Sequence, residues 1–218
     1  MSWDYGWEKI FKKKEWGTYP AEELVRFIKS SPKTKGKKIL EVGCGVGANL
    51  WFLHDQGMKV YGIDGSKTAI KKAKKLIKSK KAKAKLKVGD IISLPYKDNF
   101  FDFIIDIECL YSNSEQNTEI ILKEIYRILK PKGFLFSKSF GKKCSHIDYN
   151  KKYMRENSTF LNKGKNVFKK DYKIIRFMDI LDIKRIYKFF KISKIDEIIR
   201  SVNNRKKIIH EWIIICKK

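Results

Sequence analysis

The sequence predicts an α/β protein with a doubly wound, mostly parallel seven-stranded sheet and an antiparallel final strand. Between residues 37 and 140, strand patterns alternate with helical patterns, an order typical of parallel sheets with helices on both faces. A glycine-rich turn, GCGVG, follows the first strand pattern. Near the end, two strand patterns are separated only by NNRKK. Because this connection is too short for a parallel crossover, those two strands must be antiparallel.

The predicted strands are short apolar runs bounded by polar or turn residues. They are KKILEV (37–42), KVYGID (59–64), AKLKVGD (84–90), FDFIID (101–106), FLFSKSF (134–140), KISKIDEIIRSV (191–202) and IIHEWIIICKK (208–218).

The predicted helices separate these strands and precede the first one. They are AEELVRFIKS (21–30), the run from the glycine turn through Phe52, residues 66–80, IILKEIYRILK (120–130) and MDILDIKRIYKFF (178–190). In 66–80 the apolar residues fall on one face and lysines fill the other, which is the pattern of an amphipathic helix. Pro131 and Gly133 follow the helix at 120–130 and are expected to end it.

The composition indicates one globular domain over residues 1–218. Of the 218 residues 43% are hydrophobic and 13% aromatic, enough for a packed core. No apolar run approaches the roughly 20 residues of a membrane span. The four cysteines are scattered, which predicts a reduced, cytoplasmic protein without a metal site.

Four segments are expected within this domain. Residues 1–36 form a helical and aromatic lid, 37–140 a ligand-binding core, 141–172 a substrate-side insertion, and 173–218 the closing helix and strands. The insertion is polar, basic and irregular in pattern. Long segments of that kind are usually functional or disordered.

The charge balance is strongly basic, with 50 basic and 24 acidic residues and a net charge of +26. A nucleic-acid partner is one interpretation. The bases are mostly lysine, whereas nucleic-acid interfaces favour the bidentate arginine side chain. A solvated lysine surface is therefore the preferred interpretation, and the nucleic-acid partner stays open.

The glycine turn and four acids are the main functional signal. Turn residues without Cβ let the backbone approach a ligand closely. The N-terminus of the following helix adds a positive dipole and free N–H groups, which suit a carboxylate or phosphate. An acid is predicted at the carboxyl end of each of the first four strands, where ligands bind in open α/β sheets. The turn glycines are Gly43, Gly45 and Gly47, and the acids are Glu41, Asp64, Asp90 and Asp106. The turn also fits a dinucleotide pattern ending at Ala48, so by itself it is a weak discriminator.

In combination, these residues resemble the class I S-adenosylmethionine-dependent methyltransferases. The resemblance rests on EVGCGVG (41–47), Asp64, GDI (89–91), LPYKDNFFD (94–102) and LKPKGF (129–134). It covers residues 37–140 firmly and implies a Rossmann-like fold with S-adenosyl-L-methionine as cofactor and S-adenosyl-L-homocysteine as product.

The resemblance also implies roles for individual residues. Glu41 and Asp106 would lie near the methionine moiety, and the three glycines would let the cofactor lie against the backbone. Asp64 would hold the ribose hydroxyls, Asp90 would meet the adenine amino group, and Ile91 would pack on the ring. The cofactor carries an ammonium and a sulfonium, so nearby carboxylates are electrostatically favourable.

Two aromatic residues of the lid, Trp16 and Tyr19 in EWGTYP, are expected to cover the cofactor, since rings attract a sulfonium. An equally weighted alternative is that they pack against the sheet edge. The candidates for a catalytic role are Tyr111, after the fourth strand, and His146, in the insertion. Methyl transfer depends mainly on positioning and exclusion of water, so the catalytic residues stay unassigned.

The expected acceptor is a small molecule, which the lysines of 141–172 would suit if it were anionic, such as a sugar derivative or an acidic metabolite. One alternative is an RNA methyltransferase that uses the basic surface. Another is a binding module without catalysis. The sequence predicts no membrane partner and does not indicate the oligomeric state.

Overall fold

The computed structural model describes residues 3–31, 33–145, 154–156, 159–161 and 174–218. In these residues seven strands form one sheet in the order β3-β2-β1-β4-β5-β10-β9. Strands β1 to β5 pair in parallel, and β10 is antiparallel to both of its neighbours. The predicted fold class is confirmed.

The strands of this sheet have the following bounds. They are β1 Lys38–Val42, β2 Lys59–Asp64, β3 Ala84–Val88, β4 Phe101–Ile107, β5 Leu129–Phe140, β9 Lys191–Val202 and β10 Lys207–Lys217.

Helices cover both faces of the sheet, and two apolar clusters, one per face, form its core. The helices are α1 Gly6–Lys13, α2 Glu22–Ser30, α3 Leu50–Asp55, α4 Lys67–Ser79, α5 Glu115–Ile128 and α6 Ile180–Ile186, with a short 3-10 turn at Leu110–Ser112. Among the described residues, no helix is long and apolar enough to cross a membrane.

The structure differs from the sequence prediction in three elements. Helix α1 was not predicted, because its eight residues lie in a charged, aromatic run without a clear start signal. Helix α5 begins at Glu115, just after its N-cap Ser114, and not at 120. Strand β5 begins at Leu129, because Leu129 pairs with Phe101 and the chain is already extended there.

The predicted insertion at 141–172 also contains regular structure. Strands β6 (Met154–Glu156) and β7 (Thr159–Leu161) pair with β8 (Ile174–Arg176) in a small antiparallel sheet. Strands β6 and β7 lie within the segment whose sequence pattern is irregular, because a three-residue strand is too short to give a recognisable period. That the whole chain forms one domain stays a prediction.

Candidate active site

A cavity of about 280 Å³ lies at the carboxyl ends of the parallel strands, between the sheet and the N-terminal segment. The described residues that line it come from the first 17 residues, the glycine turn, and the loops after β2, β3 and β4. They include Trp3, Asp4, Trp7, Phe11, Trp16, Glu41, Gly43, Gly45, Asn49, Asp64, Asp90, Ile91, Glu108, Cys109, Tyr111 and Asn113. This is the place where open α/β sheets bind ligands.

Two of the three predicted glycines form the cavity wall, and both need a left-handed backbone. Gly43 has φ +66°, and a Cβ there would lie 2.2 Å from Cys109 Sγ. Gly45 has φ +50° and faces the Phe11 ring. Gly47 lies outside the cavity. Its φ is +81°, and a Cβ there would lie 3.1 Å from Cβ of Ala73, so the glycine lets the turn pack closely against α4.

Glu41 is 2% exposed, is the last but one residue of β1 and lines the cavity. Its Oε1 accepts a hydrogen bond from Asn49 Nδ2 at 2.6 Å, whereas its Oε2 has no hydrogen-bond partner. Burial raises the pKa of Glu41 to about 8, and the nearby Asp64 and Asp106 add to the shift. With this pKa Glu41 is mostly protonated at neutral pH in the free site, because a buried carboxylate without a partner is costly. A cationic group in the cavity would favour its ionised form.

Asp64 and Asp90 both line the cavity, as predicted. Asp64 Oδ2 accepts from Gly45 N at 2.9 Å and its Oδ1 accepts from Ser66 N, so this side chain also holds the glycine turn. Burial raises the pKa of Asp64. Asp90 accepts hydrogen bonds from the backbone N–H groups of Ile92 and Trp3, and it follows β3 in a loop and is not part of that strand.

Asp106 is fully buried and lies outside the cavity, in contrast to its predicted place beside the methionine moiety. Its Oδ1 accepts from the backbone N–H groups of Cys109 and Leu110, and its Oδ2 accepts from Ser137 Oγ. Burial raises its pKa to about 6, while these hydrogen bonds oppose the rise. Asp106 therefore shapes the turn after β4, which carries cavity residues.

The two predicted lid aromatics, Trp16 and Tyr19, differ in their position relative to the cavity. Trp16 lines the cavity and its ring centroid lies 5.4 Å from that of Phe11. Tyr19 is 77% exposed and lies outside the cavity, near Lys80. The chain turns away from the cavity after Gly17. Tyr19 therefore lies outside it, although Trp16 is only three residues earlier.

Of the catalytic candidates, Tyr111 lines the cavity and is buried, with its ring edge-on to Phe140. His146 lies outside the described residues. Burial, together with the surrounding carboxylates, raises the pKa of Cys109 well above its usual range. A raised pKa disfavours the thiolate, which is the nucleophilic form of cysteine.

Sequence reasoning missed three residues at the site. Asn49 holds Glu41 and also accepts from Ala21 N. Glu8, on the unpredicted helix α1, binds the start of α4. Glu108 also lines the cavity. Its backbone φ of +56° is unusual for a residue with a side chain, and no sequence pattern predicts that conformation.

A family model described as a methyltransferase domain matches residues 33–207. The chain belongs to the class I S-adenosylmethionine-dependent methyltransferases. The resemblance seen in the sequence is thus confirmed, as is S-adenosylmethionine as the cofactor of this enzyme family. Family membership also decides against the dinucleotide interpretation of the glycine turn.

Relatives of this methyltransferase differ in what they act on. Norajmaline N-methyltransferase of Rauvolfia serpentina is 35% identical over 50% of this chain and 39% of its own length. The tRNA N(3)-methylcytidine methyltransferase trm140 of Schizosaccharomyces pombe is 27% identical over 77% of this chain and 61% of its own. The chain therefore spans less than two thirds of the length of these curated relatives.

A solved structure from Methanosarcina mazei, described as a SAM-dependent methyltransferase, has the same fold. Its TM-score is 0.74 at 24% identity, and the superposition covers 91% of this chain and 98% of that one. At this identity the likeness speaks for the fold alone, and the acceptor has to be argued from the site.

Proposed function

We propose that the protein transfers a methyl group from S-adenosylmethionine to a small-molecule acceptor bound in the cavity. The observation that carries the proposal is Glu41, whose buried Oε2 has no partner in the cavity wall. The cofactor's ammonium would supply that partner. The cavity volume of about 280 Å³ is close to the lower end of the range of small-molecule sites, roughly 300–1,000 Å³.

The residues present fit this cofactor. Glu41 would hold the methionine ammonium, Gly43 and Gly45 would allow close backbone approach, and Asp64 would bind the ribose hydroxyls. Asp64 already accepts two hydrogen bonds, and an ionised carboxylate has about four acceptor positions, so capacity remains. Asp90 and Ile91 would bind the adenine. We do not assign Gly47, Asp106 or Tyr19 to cofactor contacts.

S-adenosylmethionine supplies an activated methyl group on a sulfonium. The chain's own contribution is to orient the acceptor and exclude water. Trp7, Phe11 and Trp16 close the cavity from the lid side, with ring centroids 5.4–6.4 Å apart. Tyr111, at the turn after β4, would orient the acceptor. Rings in this position also favour a sulfonium through cation–π attraction.

An RNA acceptor is the second candidate, and one surface favours it. The segment from Gly65 to Gly89 carries eleven lysines and no acid, and it forms α4 and the edge strand β3. The exposed ring of Tyr19 lies 5.6 Å from Lys80 at one end of this surface. Rings beside basic groups suit stacking of unpaired bases. RNA retention that falls steeply with salt would favour this candidate.

Calorimetry tests the proposed function. The wild type is expected to bind S-adenosylhomocysteine and not NAD, and to convert S-adenosylmethionine to S-adenosylhomocysteine when an acceptor is supplied. Glu41→Gln keeps the Asn49 hydrogen bond but removes the charge, so affinity should fall about tenfold or more, the effect of one charged hydrogen bond. Glu22→Gln, on the exposed side of α2, is the control. Binding of NAD alone, or unchanged affinity in Glu41→Gln, would overturn the proposal.

A further inference from the structure

The cavity has a charge opposite to that of the protein. The chain carries a net charge of +26, yet the described residues that line the cavity include the acids Asp4, Glu41, Asp64, Asp90 and Glu108 and no lysine, arginine or histidine. Three of these acids are assigned above to the cofactor, whose own net charge is small. An acid-lined, partly enclosed site attracts cations and repels anions.

The cofactor assignment leaves over two acids of the cavity, Asp4 and Glu108. Asp4 accepts a hydrogen bond from Gly6 N at the start of α1, and Glu108 is the one beside the strand ends. It directly follows β4, beside the turn that carries Cys109 and Tyr111. Its backbone N–H donates to Lys138 O at 2.9 Å, and this contact holds a left-handed backbone with φ +56°. For a residue with a side chain that conformation costs about 1–2 kcal/mol. Glycine would avoid this cost.

A buried ion cluster behind Glu108 leaves excess negative charge at the cavity. Lys138 Nζ lies 3.2 Å from Glu108 Oε1, 3.0 Å from Glu211 Oε1 and 3.7 Å from Glu23 Oε2. One ammonium thus faces three carboxylates. Arg200, which is half exposed, pairs with Glu211 at 3.3 Å, and the cluster still holds one acid more than bases.

We infer that the methyl acceptor is an amine, bound in its ammonium form by the Glu108 carboxylate and the aromatic rings of the lid. This inference rests on the proposed function. Trp7 and Trp16 line the same cavity, and aromatic faces with a carboxylate are the usual recognition elements for alkylammonium groups. The unpartnered Oε2 of Glu41, assigned above to the cofactor's ammonium, is a second carboxylate oxygen of this cavity that suits a cation. The anionic acceptor expected from the sequence does not fit this lining.

An ammonium must lose a proton before its nitrogen can act as a nucleophile, and Glu108 is placed to accept it. The N–H bond breaks, its electron pair stays on nitrogen, and the proton passes to a carboxylate oxygen of Glu108. The products are a neutral amine and a carboxylic acid. Burial is the main factor that raises the pKa of Glu108, while Lys138 opposes it. A raised pKa suits a proton acceptor near neutral pH.

The test compares two probes of similar shape and opposite charge, 2-phenylethylamine and 3-phenylpropionate, on the full chain saturated with S-adenosylhomocysteine. Ligand-observed NMR should show the amine binding at least about tenfold more tightly than the carboxylate, the effect of one charge-assisted hydrogen bond. Glu108→Gln should remove that preference without changing affinity for S-adenosylhomocysteine. Glu108→Asp, which keeps the charge, should retain part of it. Glu119→Gln, on exposed α5, is the matched control.

Equal or tighter binding of the carboxylate, absence of amine binding, or an unchanged preference in a folded Glu108→Gln protein would overturn the inference. These outcomes are separable from failure of the proposed function, because that failure shows first as a loss of S-adenosylhomocysteine binding in the wild type. Thermal unfolding of each variant establishes that it is folded.

Discussion

At the residue scale, the two buried glutamates near the cavity respond to pH in opposite ways. Burial raises the pKa of Glu41 from 4.5 to about 8, so its contribution to folding stability is full below about pH 4.5 and is lost as the pH rises through 8. For Glu8, burial raises the pKa, but the hydrogen bonds from Ser66 and Thr68 lower it by more, so the pKa lies below 4.5. Its contribution is present above pH 4.5 and is lost as the pH falls. Glu41 is thus held at a cost to stability, as expected of a ligand-binding group.

Gly43 shows how one missing side chain makes the site possible. In Gly43→Ala, left-handed backbone strain adds to overlap with Cys109 Sγ, 2.2 Å from the new Cβ. Gly36 is a matched control, since its φ is +78° but nothing lies within 4 Å of a Cβ there. Gly36→Ala should lower the free energy of unfolding by about 1–2 kcal/mol, and Gly43→Ala by at least about 1 kcal/mol more.

Urea denaturation measures both glycine variants, and calorimetry with S-adenosylhomocysteine reports the effect of Gly43→Ala on the cavity. A second substitution, Cys109→Ala, should recover part of the loss in Gly43→Ala by removing the overlapping sulfur. Equal destabilisation by the two glycine variants would contradict the steric argument.

At the element scale, helix α1 is fixed to the start of α4 by one carboxylate. Glu8 Oε2 accepts from Ser66 Oγ at 2.6 Å and from Thr68 N, and Glu8 Oε1 accepts from Thr68 Oγ1. Ser66 is also the N-cap of α4, where its Oγ accepts from Ala69 N. An acid at a helix N-terminus gains from the helix dipole as well. The contact places Trp7 and Phe11 over the cavity.

Glu8→Gln is expected to loosen this attachment and shorten the residence of the cofactor product. The lost charge–dipole and charged hydrogen-bond energy of about 1 kcal/mol predicts dissociation of S-adenosylhomocysteine about fivefold faster in stopped-flow tryptophan fluorescence. In the wild type, lowering the pH below 4.5 should have the same effect, because protonation removes the charge. Glu22→Gln serves as the control, and an unchanged dissociation rate would show that α1 does not close the cavity.

At the scale of the whole molecule, the dominant quantity is the net charge of +26. Exposed lysines repel one another across the surface, while exposed ion pairs such as Arg26–Glu22 contribute only about 0–1 kcal/mol each. Salt weakens both the repulsion and the ion pairs. At a net charge of +26 the repulsion is the larger of the two, so it determines whether salt raises or lowers the free energy of unfolding. Added salt should therefore stabilise the folded protein.

Thermal unfolding at increasing sodium chloride tests this expectation. From about 0.1 to about 1 M the Debye length falls from roughly 10 to roughly 3 Å, and each 1 kcal/mol of repulsion relieved should raise Tm by about 2–4 °C. Sucrose, which leaves charge interactions unscreened, is the comparison. A Tm that falls with salt would mean that ion pairs outweigh the repulsion.

How far the sequence predicts the site depends on whether the signal is local. Glu41, Gly43, Asp64 and Asp90 were predicted because a strand end, a glycine turn and an acid can each be recognised within a few residues. Glu8 could not be predicted in this way, because its partner Ser66 is 58 residues away. A contact of that separation depends on where α1 packs, and no local pattern encodes that position.

The sequence by itself determined the alternating strands and helices, the antiparallel final strand and the family to which the chain belongs. Only the tertiary structure decided which acids face the cavity. The Asp106 side chain points away from the cavity, where it accepts hydrogen bonds from Cys109 N and Ser137 Oγ. Glu108, two residues later, has a left-handed backbone and lines the cavity. The spacing of apolar residues and the residue types predict a helix or a strand. The direction of a side chain at the end of that helix or strand depends on the backbone conformation there and on the segments that pack against it.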